Sequence, residues 1–404
     1  MTITAETTWQ PLLRAVQSAP APAASAPSRP VRVCYLIDWL TTAGTETQLL
    51  ALIRSLDRRK VQPFLCLLRG QDSQSQALAP HSDVCPVVPL GIRSLRRPRA
   101  IIQACRFASF LRRARIDVLQ IYFPDSTYFG IPAALLARVP HIVRTRNNLG
   151  YWMTPWHRRL GRFCNWFTEA LIANCDATRH SAISDEGMPP ERVIVLENGV
   201  DLQRFPLVEC SRTPGRPRIG VVANLRPIKG LEVFIRAAAL VAPAEPNATF
   251  HIAGDGPLRA DLESLVRANG LEGRLHFEGT LADIPNFLAG LDVAVLPSRS
   301  EGMSNALLEY MAAGRAVVAT AVGGNTRLID DGVHGLLVSP DDPAALAGEI
   351  DRLLYDDELA RRLGRAARRR VEQRYSREAM VRRFEDFYVK LLGVQEDPRP
   401  ASKA

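Results

Sequence analysis

Short apolar runs of strand length alternate with longer stretches of helical period along this chain, and the alternation stops once and then restarts. Val31-Arg-Val-Cys-Tyr-Leu-Ile opens the first series, with further strands expected near 62–68, 84–88, 117–121, 141–145, 171–174 and 193–196. Helices are expected between them at about 45–56, 97–114, 126–138, 156–168 and 176–184. Consecutive strands separated by helices pair in parallel, and a parallel sheet needs helices over both faces. The polar, turn-rich stretch 206–217 then breaks the pattern and reads as a linker. A second series follows, with strands near 218–223, 249–253, 275–278, 292–296, 316–320 and 335–338. Its helices are expected near 230–242, 257–269, 283–290, 304–313 and 343–354. The fold class is therefore α/β: two Rossmann-like, doubly wound domains, 31–205 and 218–375, facing each other across a cleft. The arginine-rich helix 358–370 and a final helix 377–392 close the chain, the latter within a last segment 376–404. Residues 1–30, rich in Ala, Pro and Ser, cannot bury a core and are expected to stay flexible.

The chain has 404 residues, of which 47% are hydrophobic, enough for two substantial cores. No apolar run reaches the roughly 18 residues of a membrane span, and no Lys/Arg-led apolar segment at the N-terminus marks secretion. The seven cysteines are scattered without CxxC spacing, which favours a reducing, cytoplasmic setting over a disulfide frame or a zinc site. A net charge of +9 suits anionic partners such as nucleotides or lipid headgroups. Arg365-Ala-Ala-Arg-Arg-Arg370 comes without stacking aromatics or a recognition motif, so no nucleic acid is expected.

Chemistry concentrates in Glu301-Gly302-Met303-Ser304-Asn305-Ala-Leu-Leu-Glu309, which follows the strand Asp292-Val-Ala-Val-Leu. Two carboxylates here bracket an expected helix N-terminus, whose free N–H groups and positive dipole end suit a phosphate. Glu301 and Glu309 can accept hydrogen bonds from sugar hydroxyls, while the N–H groups of residues 303–305 can meet the donor sugar and the distal phosphate. In Val221-Val-Ala-Asn-Leu-Arg226-Pro-Ile-Lys229-Gly230, two cations three residues apart precede a helix. Cations oppose a helix dipole there, which argues for an anion between them. Arg226 can fork onto phosphate oxygens and Lys229 adds a point charge, together offsetting the charge on a departing diphosphate without a metal. Gly254 and Gly256, in His251-Ile-Ala-Gly-Asp-Gly-Pro-Leu, permit close backbone approach to a ligand after another strand. So does Gly44 in the first βα loop, Asp38-Trp-Leu-Thr-Thr-Ala-Gly-Thr-Glu46.

In this order, these motifs together with Asn198-Gly-Val-Asp201 and Ile329-Asp-Asp-Gly-Val-His-Gly335 resemble the retaining nucleotide-sugar glycosyltransferases of family 4 over residues 31 to 390. The resemblance implies the two-domain GT-B fold and transfer of a sugar from a nucleoside diphosphate to an acceptor hydroxyl, in glycan, polysaccharide or glycolipid biosynthesis. It implies that Arg226 and Lys229 hold the diphosphate in place of a metal, that Glu301 binds donor-sugar hydroxyls and Glu309 the ribose, and that Gly44 offers a backbone N–H from across the cleft. It also implies no cofactor, front-face attack with retention, and a final helix that crosses back to the first domain. The family often has a His after the fifth strand of the first domain. Here the stretch reads Val143-Arg-Thr-Arg146-Asn147-Asn148, so Arg146 and Asn147 become the sugar or acceptor contacts, and an amide cannot carry a proton at neutral pH.

Arg96-Arg-Pro-Arg99 and Arg112-Arg-Ala-Arg115 flank an apolar run, and Tyr151-Trp-Met-Thr-Pro-Trp-His-Arg-Arg adds aromatics in the same domain. Such a face can touch an anionic membrane and reach a glycan or lipid-linked acceptor. Two other readings are a GT-B sugar-nucleotide epimerase, which needs acid/base groups not evident here, and a non-catalytic sugar-nucleotide-binding protein.

Overall fold

The computed structural model describes residues 29–70, 73–80, 83–151, 153–207 and 215–393. The segment 1–30 expected to be flexible lies outside the described residues up to 28, as do the middle of the 206–217 stretch and the tail beyond 393.

The first lobe holds seven strands, β1 (Val31–Ile37), β2 (Val61–Leu67), β3 (Val87–Pro89), β4 (Val118–Tyr122), β5 (His141–Arg146), β6 (Ala170–Ala173) and β7 (Val193–Val195). They pair in the order β3-β2-β1-β4-β5-β6-β7, all parallel. The second lobe holds β8 (Arg218–Val222), β9 (Thr249–Ala253), β10 (Leu275–Gly279), β11 (Val293–Leu296), β12 (Ala316–Thr320) and β13 (Leu336–Val338). Their order is β10-β9-β8-β11-β12-β13, again all parallel.

Side chains on a strand alternate between faces, and the buried residues follow that rule. Cys34 and Leu36 of β1 join one apolar cluster, while Val33, Tyr35 and Ile37 join the cluster on the opposite face. Val293 and Val295 of β11 likewise point away from Ala294 and Leu296. Burial on both faces is what a parallel sheet requires, and it explains why these strands are mostly apolar rather than alternating.

The first-lobe helices are α1 (Gly44–Ser55), α2 (Ser73–Leu78), α3 (Pro98–Arg113), α4 (Pro124–Ala137), α5 (Pro155–Asn165) and α6 (Asp176–Glu186). Those of the second lobe are α7 (Leu231–Val241), α8 (Arg259–Ala268), α9 (Ile284–Ala289), α10 (Asn305–Ala312), α11 (Asn325–Leu328), α12 (Pro343–Tyr355) and α13 (Asp357–Arg374). Proline opens α3, α4, α5 and α12, where its missing N–H is no loss.

The last helix, α14 (Arg377–Leu391), packs on the first lobe. Its Met380, Phe384 and Tyr388 are buried in the cluster that holds Tyr35 and Ile37. The Tyr388 hydroxyl lies 3.0 Å from that of Tyr35 and donates to Gln120 Oε1 at 2.6 Å. The return crossing runs beside the outward one: Val200 N donates to Tyr375 O, and Arg377 N donates to Val200 O, both at 2.9 Å. Val200 and Phe205 are buried with the second-lobe core, ahead of the stretch where the sequence places the linker.

Candidate active site

In a doubly wound sheet, ligands bind beyond the strand ends where the strand order reverses. That point falls at β1 between β2 and β4 in one lobe, and at β8 between β9 and β11 in the other. The loops leaving these strands face each other across a cleft of about 870 Å³.

On the second-lobe side, β8 leads into the turn Pro227–Lys229. Gly230 adopts φ +60°, and a Cβ there would sit 2.2 Å from Pro297 O. This close approach lays the turn over the end of β11 and brings Lys229 Nζ to 2.6 Å from Glu301 Oε1. The same oxygen accepts from Ser298 Oγ at 2.7 Å, so a carboxylate only 9% exposed has both a cation and a hydroxyl. Arg226 is exposed at the cleft wall and forms no ion pair with a described residue. Behind the Glu301 loop, Gly323 and Gly324 press on it: a Cβ on Gly323 would meet Glu301 O at 1.8 Å. The glycine pair thus supports the loop from behind rather than lining the cleft.

The helix begins at Asn305 with Ser304 as its cap, the Ser304 hydroxyl accepting from Leu307 N at 3.3 Å. Glu301, Gly302 and Met303 therefore form a loop leading into it. Glu301, Gly302, Met303, Ser304, Asn305 and Glu309 all line the cleft, as do Arg226, Lys229, Gly254 and, from the first lobe, Gly44. Met303 also buries its sulfur, which accepts from Asn198 N at 3.2 Å. Gly256 is not among the lining residues; it packs on Leu225, whose carbonyl a Cβ would meet at 2.7 Å.

On the first-lobe side, Asn147 lines the cleft and also an adjoining cavity walled by Tyr122, Tyr128, Arg144, Arg146 and Met153. Its Nδ2 donates to Thr45 Oγ1 at 3.4 Å. Arg146 is buried and turned onto Glu186, with further bonds to Ser181 Oγ at 2.9 Å and Asn148 O at 3.2 Å. Its guanidinium thus serves the wall of the adjoining cavity. Arg144 joins it on Glu186 at 2.6 Å, and the two cations hold that carboxyl below its ordinary range despite its burial.

Sequence reasoning overlooked two cleft-side features. Glu46 is 3% exposed, with Oε1 taking the Thr41 hydroxyl at 2.9 Å, and burial pushes its carboxyl up. Gln48, two residues further along α1, reaches across to the second lobe. Only the Gly44-Thr45-Glu46 motif hinted at this region, because a polar side chain one turn into a helix looks like any solvated residue. Among the described residues, no group of three His, Cys, Asp or Glu side chains is placed to hold a metal ion.

Withdrawal from water raises the Glu309 carboxyl to about 7, with the Arg204 charge opposing the shift. The sequence-based expectation for Glu309 is a ribose diol, which donates two hydrogen bonds best to the ionised form. Below pH 7 the free protein carries mostly the protonated acid, so a ligand held in that way would have to expel a proton on binding. On that expectation, affinity for a nucleoside-diphosphate sugar, whose diphosphate diester does not titrate in this range, should fall about tenfold per pH unit below about 7. Calorimetric titration from pH 5.5 to 8 checks this, and Glu309→Gln should flatten the profile.

Two doubly wound lobes that face each other across a cleft and are tied together by a returning helix, with cations and a helix tip lining the cleft, define the GT-B class of folds. The chain belongs to glycosyltransferase family 4: residues 42–204 match the family description Glycosyltransferase Family 4 and residues 216–356 match Glycosyl transferases group 1. It is 33% identical over 218 residues to alpha-D-kanosaminyltransferase of Streptomyces kanamyceticus, a match spanning 51% of this chain but only 56% of that protein. It is 27% identical to the UDP-Gal:alpha-D-GlcNAc-diphosphoundecaprenol alpha-1,3-galactosyltransferase of Escherichia coli, over 70% of this chain and 77% of that one. Anabaena HepE, solved with UDP and glucose, superposes with a TM-score of 0.79 at 21% identity, covering 89% of this chain and all of HepE.

Proposed function

We propose that this protein is a retaining, metal-independent glycosyltransferase that moves a sugar from a nucleoside diphosphate to an acceptor hydroxyl. The observation that carries this reading is the Lys229–Glu301 pair beside the N-terminus of α10, with Gly44 facing it from the other lobe. A diphosphate laid between Arg226, Lys229 and the free N–H groups of α10 meets positive charge on each side. As the glycosidic bond breaks, negative charge grows on the leaving diphosphate, and these groups stabilise it without reorganising. Glu301 and Asn147 are positioned as hydrogen-bond partners for the sugar, and Glu309 for the ribose. Uridine diphosphate sugars are the first donors to assay, since HepE was solved with UDP and the E. coli relative takes UDP-Gal. NMR of the product should show the anomeric configuration of the donor, and the rate should survive a strong chelator. An inverted anomer, or turnover abolished by the chelator and restored by metal, would overturn the reading. Release of an epimerised sugar nucleotide without acceptor would replace it with the epimerase.

The acceptor reading extends to a lipid-linked glycan at a membrane surface. No described helix is long and apolar enough to cross a membrane. Instead, α5 turns Trp156 and Phe163 outward, followed by Trp166 at 80% exposure, with Arg158, Arg159 and Arg162 exposed among them. Helix α3, which packs on α4, exposes Ile101 and Ile102, and the stretch 93–116 contains eight arginines and no acidic residue. Aromatic and aliphatic side chains between arginines suit the headgroup boundary of an anionic bilayer. The protein should float with phosphatidylglycerol vesicles at low salt, stay behind with phosphatidylcholine alone, and lose flotation in the Phe163→Ser, Trp166→Ser double variant. Failure to float with anionic vesicles would remove the membrane from the account.

A further inference from the structure

Five neutral residues form a hydrogen-bonded bridge between the lobes. Gln48 of α1 donates through Nε2 to Gly199 O at 2.9 Å and to Asn305 Oδ1 at 3.1 Å. Its Oε1 accepts from Gly199 N at 3.3 Å. Asn198 Nδ2 donates to the same Asn305 Oδ1 at 2.8 Å. Asn305 Nδ2 in turn donates to Gly44 O at 2.9 Å. The first helix of one lobe, the crossover and the site helix of the other lobe are thus joined through a single carboxamide.

We infer that Gln48 and Asn305 are positioning residues: their amide clasp sets the Gly44 loop against the N-terminus of α10, so that both sets of phosphate-facing N–H groups are in place before the donor arrives. The inference rests on the donor-site reading above. Three features support it. The peptide group is planar and trans, so pinning Gly44 O fixes the plane of the Gly44–Thr45 peptide and with it the direction of the Thr45 N–H. That N–H is one of the free donors in the first turn of α1. Gly44 itself stands so close that a Cβ would meet Asn305 Nδ2 at 2.8 Å, which makes the contact part of the site's shape. Finally, every member of the clasp is uncharged. Amides supply directional bonds across a cleft built for an anion without adding a charge that would attract or repel it.

Carboxamide polarity is what the clasp uses. Asn305 must accept on Oδ1, from two N–H donors, and donate from Nδ2, to a carbonyl. A carboxylate of the same shape keeps the first and loses the second. Gln48 is the cleaner probe, because it is half-buried and is not among the residues lining the cleft, so its removal leaves the donor walls unaltered.

The test has two arms on the full chain. Small-angle X-ray scattering without nucleotide reads lobe closure directly and needs no donor. Gln48→Ala and Asn305→Asp should both show a larger radius of gyration than wild type, at an unchanged melting temperature, because an acidic residue in the first turn of α10 favours the helix. Calorimetry with UDP as the probe should show Gln48→Ala binding about fivefold to tenfold more weakly, the scale of one or two lost hydrogen bonds. Scattering from Gln48→Ala indistinguishable from wild type, or UDP affinity equal to wild type, overturns the clasp. A wild-type protein that does not bind UDP defeats the uridine donor instead, and the scattering arm still decides the clasp.

Discussion

Lys229→Ala should lower sugar transfer by about 10³-fold, the upper end of the effect of removing one preorganised charge partner from a leaving group. Lys229 does two things at once. Its ammonium lines the cleft, where the proposed reaction puts the leaving diphosphate, and at 2.6 Å it holds Glu301 in place. Removing it strips positive charge from the leaving group and frees a mostly buried carboxylate that keeps only the Ser298 hydroxyl. A buried charge without its partner is unfavourable, so the melting temperature should also drop by a few degrees. Arg226→Ala makes an instructive contrast. That side chain is exposed and pairs with no described residue, so its loss should remove most turnover and leave the melting temperature unchanged. Glu301→Ala should likewise remove most turnover in a folded protein. Steady-state kinetics and thermal melts on the three variants check this, and wild-type turnover in any of them contradicts the site.

Gly302→Ala is the second large effect expected, and its origin is steric. A Cβ on Gly302 would stand 2.5 Å from Asn147 O and 3.0 Å from Asn174 Oδ1, both on the opposite lobe. Neither core would feel the change, because the clash lies between lobes. The lobes would have to part by about 1 Å, and a misplacement of that size costs roughly 10² in rate. Turnover should therefore fall about a hundredfold at an unchanged melting temperature. A variant with normal turnover would show that the cleft does not work at this closure.

Strand and helix positions were legible wherever burial leaves a pattern. The strands expected at 249–253 and 316–320 appear as β9 and β12 with those limits, because both are short and almost wholly buried in the second lobe. The edge strand was not: expected at 84–88, it is Val87–Pro89, where a proline ends a pairing that has a neighbour on one side only. Helix α2 reads Ser-Gln-Ser-Gln-Ala-Leu, too short and polar to show a period, and α11 spans four residues; neither was foreseen.

The site divides in the same way. Arg226, Lys229, Glu301 and Glu309 could be picked out because their chemistry is local, a charge beside a strand end or a helix start. Their geometry could not. Lys229 and Glu301 are 72 residues apart within one lobe, Gln48 and Gly199 are 151 apart, and Gly44 and Asn305 are 261 apart across the cleft, so none of these contacts exists before the chain has folded, and the last also needs the two lobes to meet. Arg146 shows the converse: a cation beside a motif invites a ligand role, yet Glu186 from a distant helix claims it.

In the proposed reaction, protein cations and a helix tip hold the leaving diphosphate between the lobes. A crystal structure of the protein with a uridine diphosphate sugar tests this at the atoms concerned. Diphosphate oxygens should lie within about 3 Å of Lys229 Nζ, of the Arg226 guanidinium and of the N–H groups opening α10. Nucleotide lodged away from the cleft, or bound in it with both cations turned off the diphosphate, would rule that arrangement out.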